Sequence, residues 1–263
     1  MNPMISYLSS QKYFDNNALE KCGALFDVLV LVPSYQGPKP LSRFCLDRLA
    51  RCGAEIIACY ECSDPALHRC IVAERAVHLL KKRPSFKFVL WVDDDMSYTP
   101  ADVAMLREFA RGTGVAISGY YCKRGNSMSL TLKHHDGPVL TVEHSKAMLL
   151  HECEIERHPT VELLPVTAGM GFMILPRETF DRHCESVPQC SRTLQDEGGR
   201  SMPAICSSGP IRYDDGTFGW CSEDEVYCRS LWHHGRGVYA APIAVGHVSS
   251  VPLLPSPESV FLG

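Results

Sequence analysis

The sequence predicts an α/β fold: a mostly parallel central sheet with helices on both faces and a smaller antiparallel hairpin region. Three features predict it. Over the first 123 residues, short apolar, β-branched runs alternate with segments of helical period, the pattern of a parallel sheet with crossover helices. Those runs end on loops rich in turn formers or carboxylates, where such a sheet binds ligands at its carboxyl edge. Beyond residue 124 the period switches to two around Asp136-Gly137, a hairpin signal.

Residues 27–32 (DVLVLV) read as a buried strand opening into the turn-rich loop Pro33-Ser34-Tyr35-Gln36-Gly37-Pro38. Residues 40–52 set Leu41, Phe44, Cys45, Leu49 and Cys52 at helical spacing as an inward stripe. A second strand over 54–59 and a helix over 65–82 follow, the helix with Leu67, Ile71, Val72, Ala76, Leu79 and Leu80 inward. A third strand, 86–92 (FKFVLWV), runs into Asp93-Asp94-Asp95. A helix over 102–111 and a strand over 114–123 complete the first half. The hairpin over 129–143 comes next, then the apolar stretch GMGFMIL before a helix near Arg177. Residues 184–210 read as a long polar loop, of the kind that is mobile and functional. A helix over 223–234, a strand over 238–247 and a Pro-rich tail end the chain.

The 263 residues are 45% hydrophobic and 21% charged, with a formal net charge of -4. That composition excludes disorder, coiled coil and a generally basic nucleic-acid-coating protein. No apolar run reaches the roughly 18 residues of a membrane span, and residues 1–21 carry neither a basic leader nor an apolar signal core. A cytoplasmic protein without a membrane span is the expectation. In a reducing compartment the 13 cysteines are expected as free thiols, mostly in the core. Cys59-x-x-Cys62, with His68 and Cys70, has zinc-like spacing, but no second pair accompanies it.

Asp93-Asp94-Asp95 is the strongest chemical feature. Carboxylates at i and i+2 of an extended chain project to one side and together suit a hard divalent cation that keeps positions open for a diphosphate. A solvated strand cap is the plainer reading, but three adjacent carboxylates repel one another unless a cation offsets them. Ser222-Glu223-Asp224-Glu225 opens a helix: Ser222 and Glu225 are spaced as a capping box, while Asp224 is placed to act as a general base. Gly169-Met170-Gly171-Phe172 suits close approach of backbone to a ligand or a tight bend. His247 ends the last strand as a hydrogen-bonded structural residue or a ligand.

In this order and spacing these motifs resemble the GT-A fold glycosyltransferases, Rossmann-like enzymes, in particular the family 2-like, stand-alone bacterial or phage type, over about residues 26–250. The resemblance implies one GT-A domain over 1–263, with a nucleotide-binding half (26–123), an acceptor-binding half (124–250) and a tail (251–263). It implies a nucleoside-diphosphate sugar donor and Mn²⁺ or Mg²⁺. Pro33, Ser34 and Tyr35 would line the nucleotide pocket, with Arg75 contacting the nucleotide from the helix after the second strand. Asp93, with Asp94 beside it, would face the ribose or a metal-bound water; Asp93, Asp95 and His247 would form the metal site. Gly169, Met170 and Gly171 would shape the floor between donor and acceptor. Asp224, in the pair with Glu223, would be the base of an inverting displacement.

Three other classes share parts of this pattern. A sugar-1-phosphate nucleotidyltransferase would want more basic residues after the first strand than Lys39. A metal-dependent phosphoesterase would want more ligands than Glu61 and Asp64 offer at the second strand's end. A non-catalytic nucleotide-binding module leaves Glu223-Asp224 as a cap only. The acceptor is expected to be a glycan, a protein or a modified DNA base, with Lys123, Arg124, Lys133, His134 and His135 placed to meet phosphates or to face solvent.

Overall fold

The computed structural model describes residues 4–6, 16–60, 64–123, 126–134, 139–141, 160–191, 201–212, 216–248 and 252–253. Eight strands carry the central sheet: β1 (Val28–Pro33), β2 (Glu55–Cys59), β3 (Phe88–Val92), β4 (Ala116–Tyr120), β5 (Asn126–His134), β6 (Leu164–Ala168), β7 (Phe172–Pro176) and β8 (Val238–Ala244). Their order is β2-β1-β3-β7-β4-β8-β6-β5, with Cys122–Lys123 and Val139–Thr141 both paired to β5. Strands β1 to β4 and β8 run one way, and β7 runs against its neighbours β3 and β4. The sheet is therefore mostly parallel, and β7, from the second half of the chain, is inserted between two strands of the first.

The helices are α1 (Asn16–Cys22), α2 (Pro40–Arg51), α3 (Pro65–Lys82), α4 (Pro100–Thr113), α5 (Arg177–Ser186) and α6 (Glu223–His233). Alternation along the strands sorts them between the two faces. Leu29, Leu31, Val89, Trp91, Met173 and Leu175 pack in one core with residues of α3, α5 and α6. Val28, Val30, Leu90, Val92, Phe172 and Ile174 pack in the other with residues of α1, α2 and α4. Strands buried on both faces read as continuous apolar runs, which is why β1 and β3 are legible in the sequence. Small antiparallel hairpins flank the sheet, among them Gln189–Ser191 with Ser201–Pro203 and Gly209–Arg212 with Phe218–Cys221. No described helix is long and apolar enough to cross a membrane.

Several expectations shift. On α2, Leu41 and Phe44 face solvent at 38% and 55% exposure, and Ser42, Cys45, Leu46 and Leu49 face the core. The stripe is rotated because Leu46 seats against the sheet. Helix α4 begins earlier than residue 102, since Thr99 and Asp102 form a reciprocal capping box ahead of Pro100. The polar stretch 184–210 is only partly a loop: it holds the end of α5 and a two-stranded ladder, and Met202, Ile205 and Cys206 are buried in the core under α3. Residues 192–200 lie outside the described residues, as does the turn at 135–138.

The cysteines are as the composition suggests. Among those described, only Cys190 is exposed, and all are free thiols. Cys59 and Cys70 are buried, and burial raises both thiol pKa values, the opposite of what a zinc thiolate needs. Cys62 lies outside the described residues, and the other three members of the pattern, Cys59, His68 and Cys70, are all buried.

Candidate active site

Strand ends, the loops that follow them and helix starts surround a cavity of about 660 Å³ at the carboxyl edge of the sheet. Its volume falls within the roughly 300–1,000 Å³ usual for ligand sites. The loop after β1 supplies Pro33, Ser34, Tyr35 and Gln36, the loop after β3 supplies Asp93, Asp94 and Asp95, α3 supplies His68 and Arg69, and α6 supplies Glu223 and Asp224. Tyr121, Thr131 and His247 close it.

The aspartate triplet does not stay extended. Met96 N–H bonds back to the Asp93 carbonyl at 3.3 Å, turning the chain, so the three carboxylates take three different partners. Asp94 Oδ2 accepts from Ser34 Oγ at 2.5 Å, and Ser34 Oγ accepts from Gly37 N–H at 2.9 Å. That chain fixes the loop after β1. Asp93 Oδ1 accepts from Arg69 Nη2 at 3.0 Å. Asp95, 1% exposed, places Oδ2 3.1 Å from His247 Nε2.

The His247 ring is oriented by the Cys122 carbonyl, 3.1 Å from Nδ1. A carbonyl only accepts, so Nδ1 carries a proton. The contact between Nε2 and the Asp95 carboxylate is completed either by a second proton on the ring or by a shared cation. The donor set, one carboxylate oxygen and one imidazole nitrogen, suits a divalent ion. Among the described residues no three His, Cys, Asp or Glu converge on one ion. Of the expected set Asp93, Asp95 and His247, the structure brings Asp95 and His247 into contact, while the turn carries Asp93 toward Arg69.

Arg69 is the residue that sequence reading missed. Its Nη2 reaches Asp93 at 3.0 Å and Asp224 Oδ1 at 3.1 Å, and its guanidinium lies over the Trp91 ring at 6.0 Å. Burial pulls its pKa down, but Asp93 and Asp224 more than reverse this, so the guanidinium stays charged. Its Nε and Nη1 are buried with no hydrogen-bond partner. Arg75, the expected nucleotide contact, is not among the cavity residues; its Nη1 reaches the Ala58 carbonyl at 3.5 Å. The available signal was a charge at position 69 on the inward stripe of α3, next to Ile71 and Val72.

Asp224 stands at the start of α6. Burial pushes its pKa up to about 6; Arg69 pulls it down, while Asp93 and Glu223 push it up. The Ser222 hydroxyl caps the helix by accepting from Glu225 N–H at 3.4 Å. The Glu225 carboxylate does not complete the box. It accepts from Lys133 Nζ at 3.0 Å and from Arg229 Nη2 at 3.1 Å. Lys133, placed by its sequence among phosphate-meeting residues, is thereby committed to a carboxylate.

The glycine turn between β6 and β7 is packed against this site. Gly171 N–H donates to Tyr121 Oη at 2.9 Å, and a Cβ on Gly171 would meet Tyr121 Oη and come within 2.8 Å of Asp93 Oδ2. A Cβ on Gly169 would also strike Tyr121 Oη. Met170 between them points into the core, with Sδ 3.8 Å from Cys206 Sγ. Both glycines are therefore required for close approach, and Met170 contributes packing. Tyr121, which the sequence reading passed over inside a strand, anchors the turn and meets His247 edge-on at 5.7 Å.

No protein-family model matches the chain, and no curated protein matches it in sequence. In three dimensions it is similar to the solved structure of A197 from STIV, with a TM-score of 0.50 and 16% identity over 87% of this chain and 90% of that one. That likeness shows a shared fold. A looser match, with a TM-score of 0.40 and 12% identity over 95% of this chain and 80% of the other, is to glucosyl-3-phosphoglycerate synthase from Mycobacterium tuberculosis, solved with Mn²⁺, UDP and phosphoglyceric acid. A superposition that loose adds nothing to the fold assignment.

Proposed function

We propose that the chain is a GT-A-type glycosyltransferase that moves a sugar from a nucleoside-diphosphate sugar to an acceptor hydroxyl. One observation carries this reading: the same cavity holds a carboxylate–imidazole pair with donor atoms for a cation, Asp95 and His247, and a carboxylate with a pKa raised to about 6, Asp224. Groups with such different ionisation needs in one cleft mark divided chemical tasks. The motif order read from the sequence supports the same class.

Pro33, Ser34 and Tyr35 line the nucleotide side, where the exposed Tyr35 ring is available to stack on a base. Asp94 holds that loop through Ser34, and Asp93 faces the ribose. A divalent cation, Mn²⁺ or Mg²⁺, held by Asp95 and His247 would neutralise charge developing on the diphosphate. Gly169 and Gly171 keep the floor between donor and acceptor low. The acceptor oxygen bonds to the anomeric carbon on the face opposite the diphosphate, the old carbon–oxygen bond breaks, and its electron pair leaves with the diphosphate. The acceptor proton passes to Asp224, whose pKa near 6 leaves it ionised at neutral pH. Glu223 beside it raises that pKa.

The test is a thermal-shift panel of UDP, GDP, CDP and dTDP, each with and without Mn²⁺. Stabilisation by one nucleoside diphosphate that needs the metal and is lost in Asp95→Ala is expected. No response to any nucleotide rejects the reading.

A further inference from the structure

Asp224 belongs to the walls of two cavities. A second pocket, of about 190 Å³, shares Asp224 and Thr131 with the first and is otherwise lined by residues including Lys133, Thr167, Ser222 and Glu225. It lies below the roughly 300 Å³ at which drug-sized ligand sites begin. Such a volume suits one ring, not a chain segment, and it opens where the acceptor hydroxyl must approach Asp224.

The charges of this pocket are already paired. Lys133 Nζ sits 3.0 Å from Glu225 Oε2, Arg229 Nη2 sits 3.1 Å from Glu225 Oε1, and Arg69 Nη2 sits between Asp224 and Asp93. Glu225 is only 10% exposed, so its carboxylate is poorly screened by water. Burial raises the Glu225 pKa, but hydrogen bonds and charge from Lys133 and Arg229 outweigh this and set it below the usual range. A phosphate or carboxylate entering here would face Asp224 and Glu225 and would have to displace Glu225 from Lys133. A neutral polyol meets no such barrier: Thr131 Oγ1, which donates to the Tyr121 carbonyl at 3.2 Å, can still accept, Ser222 Oγ, which accepts from Glu225 N–H at 3.4 Å, can still donate, and the Thr167 hydroxyl can do both.

We propose that the second pocket binds a single uncharged sugar ring of the acceptor, and that the Lys133–Glu225 pair turns phosphorylated acceptors away. This inference rests on the transferase reading and names its acceptor class. It departs from the expectation that Lys133 meets nucleic-acid phosphates.

The test is saturation-transfer NMR on the full chain, with methyl glucoside, methyl galactoside and methyl mannoside set against the corresponding sugar 6-phosphates. At least one methyl glycoside is expected to bind at least tenfold tighter than its phosphate. Thr167→Tyr, which fills the pocket, is expected to remove that binding, and Glu225→Gln, which releases Lys133, to narrow the preference at least threefold. The nucleotide-induced thermal shift reports that each variant is folded. Equal or tighter binding of the phosphates, an unchanged preference in Glu225→Gln, or no glycoside binding while a nucleoside diphosphate still binds would each overturn the inference and leave the transferase standing. Loss of nucleotide binding in the parent would instead sink the transferase reading.

Discussion

Asp93 and Asp224, 131 positions apart in the chain, are held by one nitrogen of Arg69, at 3.0 and 3.1 Å. A strand end and a helix start are thereby fixed to each other through a buried cation that reaches both. Removing the cation of this buried cluster costs about 3–5 kcal/mol, since it leaves two carboxylates uncompensated, whereas removing one carboxylate leaves a neutral pair. Arg69→Met is expected to lose that much in denaturant unfolding. Because Arg69 lowers the Asp224 pKa, the same change moves its ionisation above 6, read by carboxyl NMR titration. Arg69→Lys keeps a charge and is expected to lie between. An Asp224 titration that does not move in Arg69→Met contradicts the shared-cation account.

Asp224 itself sets a trade-off between activity and stability. With its native pKa raised from 3.8 to about 6, the native state binds more protons than the unfolded chain between those values. Stability therefore falls as pH rises through that window, and the full penalty persists above it. Asp224→Asn removes the penalty and is expected to stabilise the protein at pH 8 by on the order of 1–3 kcal/mol. Transfer, if Asp224 is the base, drops by roughly 10²–10⁴-fold. In the parent it rises with pH through about 6. A pH-independent rate between 5 and 7 removes Asp224 from that role.

The glycine turn gives a steric prediction. Gly171→Ala sets a Cβ within 2.8 Å of Asp93 Oδ2 and against Tyr121 Oη. Overpacking of this kind costs about 1–3 kcal/mol. Nucleotide affinity is expected to fall as well, because the strained carboxylate is the one bonded to Arg69. Gly114→Ala, where a Cβ would meet nothing within 4 Å but φ is +72°, separates backbone strain from this clash: it is expected to cost stability and leave nucleotide affinity unchanged.

His183 governs the acid limit. It is 2% exposed, and burial, with His234 adding to it, pushes its pKa down to about 4. The unfolded chain takes up this proton below about 6.5, the native state only near 4. Stability is lost as pH falls through that window, by up to about 3 kcal/mol. Melting temperatures of Asp224→Asn, in which the opposing Asp224 contribution is gone, should show the decline from pH 7 to 4, and adding His183→Gln should flatten it. A parallel decline in that variant rules His183 out as the cause.

Sequence alone determined the strands β1 and β3, the bounds of α3, the turn-rich loop after β1, and the acidic residues at positions 93–95 and 223–225. These are local facts, set by the spacing of apolar side chains over a few residues and by the residues that end such runs. Tertiary structure decided which of those carboxylates work together. Asp95 finds His247 instead of Asp93 because a turn follows β3, and Glu225 finds Lys133 instead of its own helix start because β5 pairs with β6, the strand on which α6 packs. The inward stripe of α3 hinted at Arg69, but its choice over Arg75 rests on the carboxylates of Asp93 and Asp224 and the ring of Trp91, which come from other parts of the chain. Ion pairs between residues far apart in the chain depend on where the sheet brings strand ends together, and no local pattern records that.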